Sequence, residues 1–404
     1  MAGPLEDLRI LDLTHLVTGP FATKLLADFG ADVIKVERPG GDPARRLGPF
    51  PNDQSHPEKS GTFFYFNSNK RSIGLDLRST AAGGIFEDLV DWADVVVESL
   101  RPGALAGLGF GWDMIHARRP EVPLVSVTNF GQDGPYADFV GSEVVLWGFG
   151  GEMYSTGLAG REPVKMYGTA GLVQAGAAAS TAILAAAMVG VEQGVGQPVD
   201  FAIADALFAS ADRRHSTVIG FEFSGRKTVR RENEAIGLAD GVFPCSDGWV
   251  EMHSAARRYE RLADMLGNPD WMQDERWLEP GAAMDPLLIE EFNAHLQGWL
   301  LDRTKREVWA EGRRARVMCT PLFTTAEIFE DQHFHDRGFF AEAEHSALGE
   351  LTFPGRPFIM SETPWELRRP APLFGEHTRE ILTQLGYGLA SIESLIEAGA
   401  VEAA

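Results

Sequence analysis

Cysteine is scarce in this chain: two among 404 residues, Cys245 and Cys319, far apart and without metal-ligand spacing. That scarcity excludes a disulfide framework and a cysteine-built metal centre, and it points to a reducing cytoplasm. Basic charge is also short. Lys and Arg total 36 against 58 Asp and Glu, a formal net charge of −22. A nucleic-acid partner and docking to an anionic membrane are both disfavoured, because each needs a basic surface. Local pairs such as Arg45-Arg46 and Arg313-Arg314 still offer places to hold an anionic ligand. The opening "MAGPLEDLRI" carries no basic segment followed by an apolar core, so no signal peptide is read there. Internal repeats and low-complexity tracts are lacking, apart from a short "AGAVEAA" end.

The sharpest shortage is local. No Asp or Glu stands between Glu162 and Glu192, a stretch that contains "KMYGTAGLVQAGAAASTAILAAA" at 165–187. Its uncharged part, 170–191, has about the length that a bilayer requires. Ala and Gly partition weakly, however, and Gln174, Ser180 and Thr181 interrupt the run. The expectation is a soluble helix packed closely on its neighbours through small residues.

What is present reads as a globular α/β chain, 44% hydrophobic and 23% charged, long enough for two domains. "LRILDL" (8–13) is a buried strand, residues 20–29 a helix with Pro20 in its first turn, and "ADVIKVE" (31–37) a second strand. A crossover of this length makes the strands parallel. The pattern recurs: a helix near 80–92 before "DVVVE" (94–98), another near 111–118 before "PLVSVTNF" (123–130). Together these predict a Rossmann-like sheet. The turn after the first strand is "THLVTGP" rather than G-x-G-x-x-G, so the diphosphate turn of a dinucleotide enzyme is missing. Glu37 resembles a ribose-binding acid by position alone. Past about residue 225 the texture changes, with helices near 256–266, 287–302 and 304–314. "GVFPCSDGWVEMHS" reads as a hairpin turning at Ser246-Asp247-Gly248. The predicted division is a large Rossmann-like domain over 1–225, a small α+β domain over 226–325 and a C-terminal segment over 326–404. Both cysteines are read as structural.

In order along the chain, "LRILDLTHLVTGPFATKLLADFGADVIKVERPGGDPAR", "NSNKRSIGLDLRS", "ADVVVESLRPGALAGLGFGW", "TNFGQDGPYADF", "GVGQPVDFAIADAL", "MCTPLFTTAEI" and "APLFGEHTREIL" resemble the family III CoA-transferases. That group includes formyl-CoA and carnitine CoA-transferases and α-methylacyl-CoA racemase. The resemblance implies an interlocked dimer whose C-terminal segment returns to the large domain. It implies transfer of CoA from an acyl-CoA to a carboxylic acid, with no metal. In the family an aspartate attacks the thioester, giving a mixed anhydride and then an aspartyl thioester, among amides that stabilise the oxyanions. Carried over residue by residue, the CoA contacts fall on His15, Arg38, Leu75 to Arg78, Ser99 to Arg101, and Lys165 of the lead-in "PVK". Arginine suits phosphate because its planar fork gives paired charge-assisted bonds.

The chain departs from the pattern at the nucleophile. The family places its aspartate in Gly-Asp, three residues, Gly; here the letters are "GLVQAG", and Leu172 falls at the aspartate. The racemase branch fails as well, since its histidine position is Ser142. Basic residues common in relatives are replaced by Gly107 and Val140. Glu143 survives at a position that is acidic in many relatives, a candidate acid or base against a structural role. Three readings stay open. The chain is the non-nucleophilic subunit of a heteromeric enzyme, of the benzylsuccinate CoA-transferase type; or an independent acyl-CoA isomerase, hydratase or lyase using Glu143; or a CoA-binding scaffold. A homodimer or a pairing with an aspartate-bearing paralogue follows accordingly. Trp147, Phe149, Met153, Tyr154 and Tyr167 are candidates for contact with a bulky acyl group, against core or interface roles.

Overall fold

A computed structural model describes residues 3–150, 152–210, 214–227, 230, 237–253 and 259–404. The chain divides into two compact units, one made of Met1–Thr156, Val164–Thr228 and His335–Ala404, the other of Gly157–Pro163 and Val229–Phe334.

The first unit is built on a seven-stranded sheet. Its strands are β1 (Arg9–Leu13), β2 (Asp32–Glu37), β3 (Arg71–Leu75), β4 (Val95–Glu98), β5 (Leu124–Thr128), β6 (Pro198–Ala202) and, at the edge, β12 (Val401–Glu402). The order is β12-β3-β2-β1-β4-β5-β6. All neighbours pair in parallel except β12, which runs antiparallel to β3. This is the doubly wound order, with its reversal between β1 and β4, where such sheets bind ligands at their carboxyl ends. The sequence expectation of a Rossmann-like sheet is met.

Helices cover both faces, so the strands are apolar on both sides. Leu11, Ile34, Ile73 and Val96 pack against Phe86, Leu89 and Ile115 on one face. Ile10, Val33, Val95 and Val125 pack against Ala175, Ala179 and Ile183 on the other. Three strands escaped the sequence reading: β3, β6 and β12. In β3 the cause is polarity, for Arg71 and Ser72 are buried yet bonded, to Asp32 and to Glu37. Predicted and observed ends elsewhere differ by one or two residues, as with the first helix at Thr18–Ala27 rather than 20–29.

The helices that matter for the site are α1 (Thr18–Ala27), α2 (Gly61–Asn67), α3 (Ala82–Trp92), α4 (Ala104–Gly107), α5 (Trp112–Arg118), α6 (Glu143–Phe149), α7 (Glu152–Ser155) and α8 (Ala170–Gln193). Among the described residues α8 alone is long and apolar enough to cross a membrane. Its small residues have another use. A Cβ on Gly176 would stand 2.8 Å from the Thr18 carbonyl oxygen and 3.0 Å from the Phe21 ring; one on Gly190 would overlap the Glu121 carbonyl. The glycines let α8 press against α1 and the loop before β5, closer than any side chain permits.

The second unit carries the antiparallel sheet β7 (Asp240–Cys245), β8 (Gly248–His253) and β9 (Cys319–Pro321), with helices at Tyr259–Leu266, Pro286–Leu301 and Lys305–Ala315. Cys245 pairs with Gly248, so the hairpin turns where the sequence placed it. Part of the predicted 256–266 helix lies outside the described residues. Arg314 is engaged by Asp264 and Glu311, and Arg313 lies by Trp309, so this basic pair stabilises its own surroundings. Burial pushes the Cys319 thiol up to about 11 and raises that of Cys245, which suits structural cysteines and not nucleophiles. The β10 (Phe340–His345) and β11 (Gly349–Pro354) hairpin belongs to the first unit, where Ala343 and Phe353 pack on Phe63 and Phe64.

The close helix contact yields a test. Gly176→Ala gains about 1 kcal/mol of helix propensity but forces α8 off α1, a repacking that costs about 1–3 kcal/mol. The net expectation is a lower urea midpoint; a variant as stable as the parent would contradict this packing.

Candidate active site

The carboxyl ends of β1 and β2 end in charges kept out of water. Asp12 receives the Thr14 amide, the Thr14 and Thr23 hydroxyls and the Lys70 ammonium. Lys35 donates to the Thr14 carbonyl and lies 2.8 Å from the Asp42 carboxylate. Asp42 in turn accepts the amides of Leu16 and Ala44. Burial alone would raise the Asp12 carboxyl, but Lys70 and Lys35 outweigh it and hold it well below its usual range. Burial brings Lys70 down to about 8 against the pull of Asp12. These bonds shape the turn 14–17, where Leu16 adopts a positive φ of 67°.

Beside that turn a cavity of about 360 Å³ opens at the sheet's reversal point. Leu13, Val36, Leu75, Leu77, Leu100 and Leu108 give it apolar walls, while His15, Arg38, Asp76 and Arg78 supply its polar groups. The structure thus brings together His15, Arg38, Leu75 and Arg78, which the sequence had singled out. Ser99 joins them through its hydroxyl, which accepts the His15 amide at 2.8 Å. Arg101 is exposed and is not among the lining residues. Arg78 is mostly exposed and bonds Asp76.

Glu37, which resembled a ribose-binding acid by position alone, is fully buried, its two carboxylate oxygens gripped by Arg45 at 2.7 and 2.8 Å, with Ser72 and the Asp42 amide adding to the hold. Arg45 is correspondingly spent on Glu37, Glu58 and the Phe63 ring. Only Arg46 of that pair remains open to solvent.

The start of α8 is the second locus. Leu172 sits in its first turn, where its side chain packs with Val17 and Phe21. Its carbonyl accepts the Thr18 hydroxyl at 3.2 Å. No side chain of the preceding residue caps the helix, and its first turn holds no acid. Glu143, at the start of α6, does that work from outside: its carboxylate oxygens accept the amides of Gly171 at 2.9 Å and Leu172 at 3.3 Å. A carboxylate on free helix amides meets both their unsatisfied donors and the positive end of the helix dipole. Nothing in the sequence marks this bond, since its acceptor and donors lie 28 and 29 residues apart. Lys165 approaches Glu143 at 4.0 Å but gives its hydrogen bonds to the carbonyls of Met166 and Gly168, away from the cavity's lining.

Of the aromatic candidates, Trp147 is buried in the core, and Met153 packs against the same cluster. Phe149, Tyr154 and Tyr167 are exposed, Tyr167 fully. Ser142, Gly107 and Val140 are exposed too. Among the described residues no cluster of His, Cys, Asp and Glu suits a metal ion.

Residues 5–378 match the sequence profile of CoA-transferase family III. The chain belongs to CoA-transferase family III. Within that family it is 31% identical over its whole length to the succinyl-CoA:(R)-benzylsuccinate CoA-transferase subunit BbsE of Thauera aromatica, covering 99% of that protein. It is 32% identical to a formyl-CoA:oxalate CoA-transferase of Afipia carboxidovorans, with 99% of this chain and 98% of that protein covered. A solved CAIB/BAIF family protein from Brucella suis superposes with a TM-score of 0.85 at 27% identity, covering 95% of this chain and all of that one. The family III fold that the sequence motifs implied is therefore present.

The site has a pH consequence. Burial, with Lys35 next, pushes His15 below its ordinary value of 6.5, and Asp42 and Asp12 only partly offset this. Burial likewise lowers His345 and His377. A depressed imidazole stays neutral in the fold while the unfolded chain takes up its proton. The contribution of these histidines to stability is therefore full above about pH 6.5 and declines as the pH falls below that value. His15→Asn should flatten that decline in urea titrations, and an unchanged slope would argue that His15 is not desolvated.

Proposed function

We propose that this chain is the non-nucleophilic subunit of a heteromeric CoA-transferase, moving CoA between an acyl-CoA and a carboxylic acid. The observation that carries this reading is Leu172. By the family resemblance it aligns with the nucleophile; it packs among apolar side chains, and the carboxylate bonded to its amide, that of Glu143, is already held by two helix amides. The likeness to a subunit of the Thauera benzylsuccinate enzyme supports a subunit's role, and the formyl-CoA:oxalate relatives support the reaction class.

CoA would lay its nucleotide end in the cavity, the base against Leu13, Val36 and Leu75, the phosphates toward Arg38 and Arg78. His15 and Ser99 would line the path, with Arg101 beyond them and Lys165 near the start of α8. The partner subunit would supply an aspartate. Its carboxylate attacks the thioester carbonyl and expels the CoA thiolate, leaving a mixed anhydride. The thiolate then attacks the anhydride's aspartyl carbonyl, releasing the first acid as a carboxylate and storing CoA as an aspartyl thioester. The incoming carboxylate receives CoA by the reverse sequence.

Glu143 as the acid or base of an independent isomerase, hydratase or lyase is less well supported. Both its oxygens already accept amide hydrogens, which commits the carboxylate to the end of α8. Two cysteines, both free, fit a reducing cytoplasm.

Co-expression with a family III paralogue that carries aspartate at the aligned position should yield a complex that transfers CoA. Hydroxylamine should trap an aspartyl thioester on the partner and none on this chain. Turnover by this chain as a lone homodimer would sink the reading.

A further inference from the structure

The sequence set Arg45 and Arg46 together, and the fold separates them. Arg45 turns inward to Glu37, whereas Arg46 is exposed and forms no ion pair among the described residues. Its position is informative. Residues Pro43–Arg46 form a single 3₁₀ turn, capped by the Asp42 carboxylate on the Ala44 amide. In a 3₁₀ turn the side chains at i and i+3 eclipse, which puts Arg46 on the same side as Pro43, a residue of the cavity wall. Its guanidinium also lies over the adjoining bend: Nη2 is 3.7 Å from where a Cβ on Gly40 would stand. Gly40 and Gly41 both have positive φ, 81° and 78°, and a Cβ on Gly41 would strike the Arg45 side chain at 2.8 Å. The Arg46 guanidinium therefore lies over the bend that joins Arg38, a lining residue of the cavity, to the turn holding Pro43, although Arg46 itself is not among the lining residues.

We propose that Arg46 is a second phosphate anchor of this cavity, gripping the nucleotide end of CoA together with Arg38. The inference rests on the reading of the cavity as a CoA site. Its chemistry is simple: CoA carries a phosphomonoester and a diphosphate on its adenosine. A lone arginine at the rim leaves much of that charge unmatched, and the neighbouring Arg78 is partly neutralised by Asp76. In a chain of net charge −22, a pair of unpaired arginines at the reversal point of the sheet supplies the local positive field that draws in an anion. The Arg46 side chain has no hydrogen bond or ion pair among the described residues, so its replacement should leave the fold intact.

Calorimetric titration of the full chain with CoA, adenosine 3′,5′-diphosphate and adenosine tests this. Arg46→Ala should weaken CoA and the diphosphate about tenfold and leave adenosine unchanged. Arg46→Lys should recover part of the loss, and raised ionic strength should shrink the difference between variant and parent. Equal loss for adenosine, or unchanged CoA affinity in Arg46→Ala, overturns the proposal while the cavity's assignment to CoA stands. A parent chain that binds none of the three overturns both.

Discussion

The carboxyl edge of the sheet depends on ionic groups held away from water. Asp12, Lys35, Asp42, Glu37, Arg45 and Lys70 are all essentially inaccessible. Ions so placed are costly to desolvate, and their mutual attraction offsets that cost only when geometry and further hydrogen bonds are favourable. Here the bonds left over go to backbone groups and to hydroxyls of the neighbouring loops. Asp12 takes an amide and two hydroxyls of the first crossover, Lys35 takes the Thr14 carbonyl, and Asp42 takes the amides of Leu16 and Ala44. The pairs thus determine the path of two loops at once, and those loops carry His15, Arg38 and Pro43 to the cavity. A nucleotide-binding Rossmann turn achieves the same approach with glycines. This one uses charge, which is why the missing glycine pattern excluded a dinucleotide enzyme without excluding a nucleotide ligand.

The second constraint is the closeness of α8 to α1. Gly176 lets Thr18 and Phe21 approach the helix, and Thr18 then bonds the Leu172 carbonyl. The first turn of α8 is held from three directions: by Thr18 at its carbonyl, by Glu143 at its amides, and by Val17 and Phe21 around the Leu172 side chain. A carboxylate that reacts must be free to leave its hydrogen bonds. Glu143 is at the right end of the helix for an anion, yet it serves as a cap, and the Leu172 side chain beside it presents only an apolar surface.

The sequence made the strands and crossovers legible where apolar runs were continuous, as in β1, β2 and β4. It hid β3, because Arg71 and Ser72 look like loop residues until Asp32 and Glu37 are seen to satisfy them. His15, Arg38, Leu75 and Arg78 were singled out because their motifs resemble the family's, and the fold brings these four together at one cavity. Site residues were illegible where adjacent letters part company: Arg45 and Arg46 share a motif, but one turns into the core and the other to water. Trp147 shows the converse, a residue near the site in sequence whose ring the core claims. Glu143 could be noticed as an acid but not as a cap, since its partners are amides and carry no letter of their own.

The division between inward and outward arginines bears on how an acidic chain can hold an anionic ligand at all. At a Debye length of roughly 8 Å in physiological salt, exposed acids elsewhere on the surface are screened from the rim of the cavity. Nearby acids matter far more, and the fold has spent them. Glu37 is committed to Arg45, Asp42 to Lys35, Asp12 to Lys70, and Asp76 to Arg78. Each pairing removes a carboxylate that would otherwise repel phosphate. The buried ions therefore do two things with one set of bonds. They set the backbone of the cavity's loops, and they leave Arg38 on its wall and Arg46 on the adjoining turn without an ion pair among the described residues, so that net charge over the whole chain says little about the sign of the local field there.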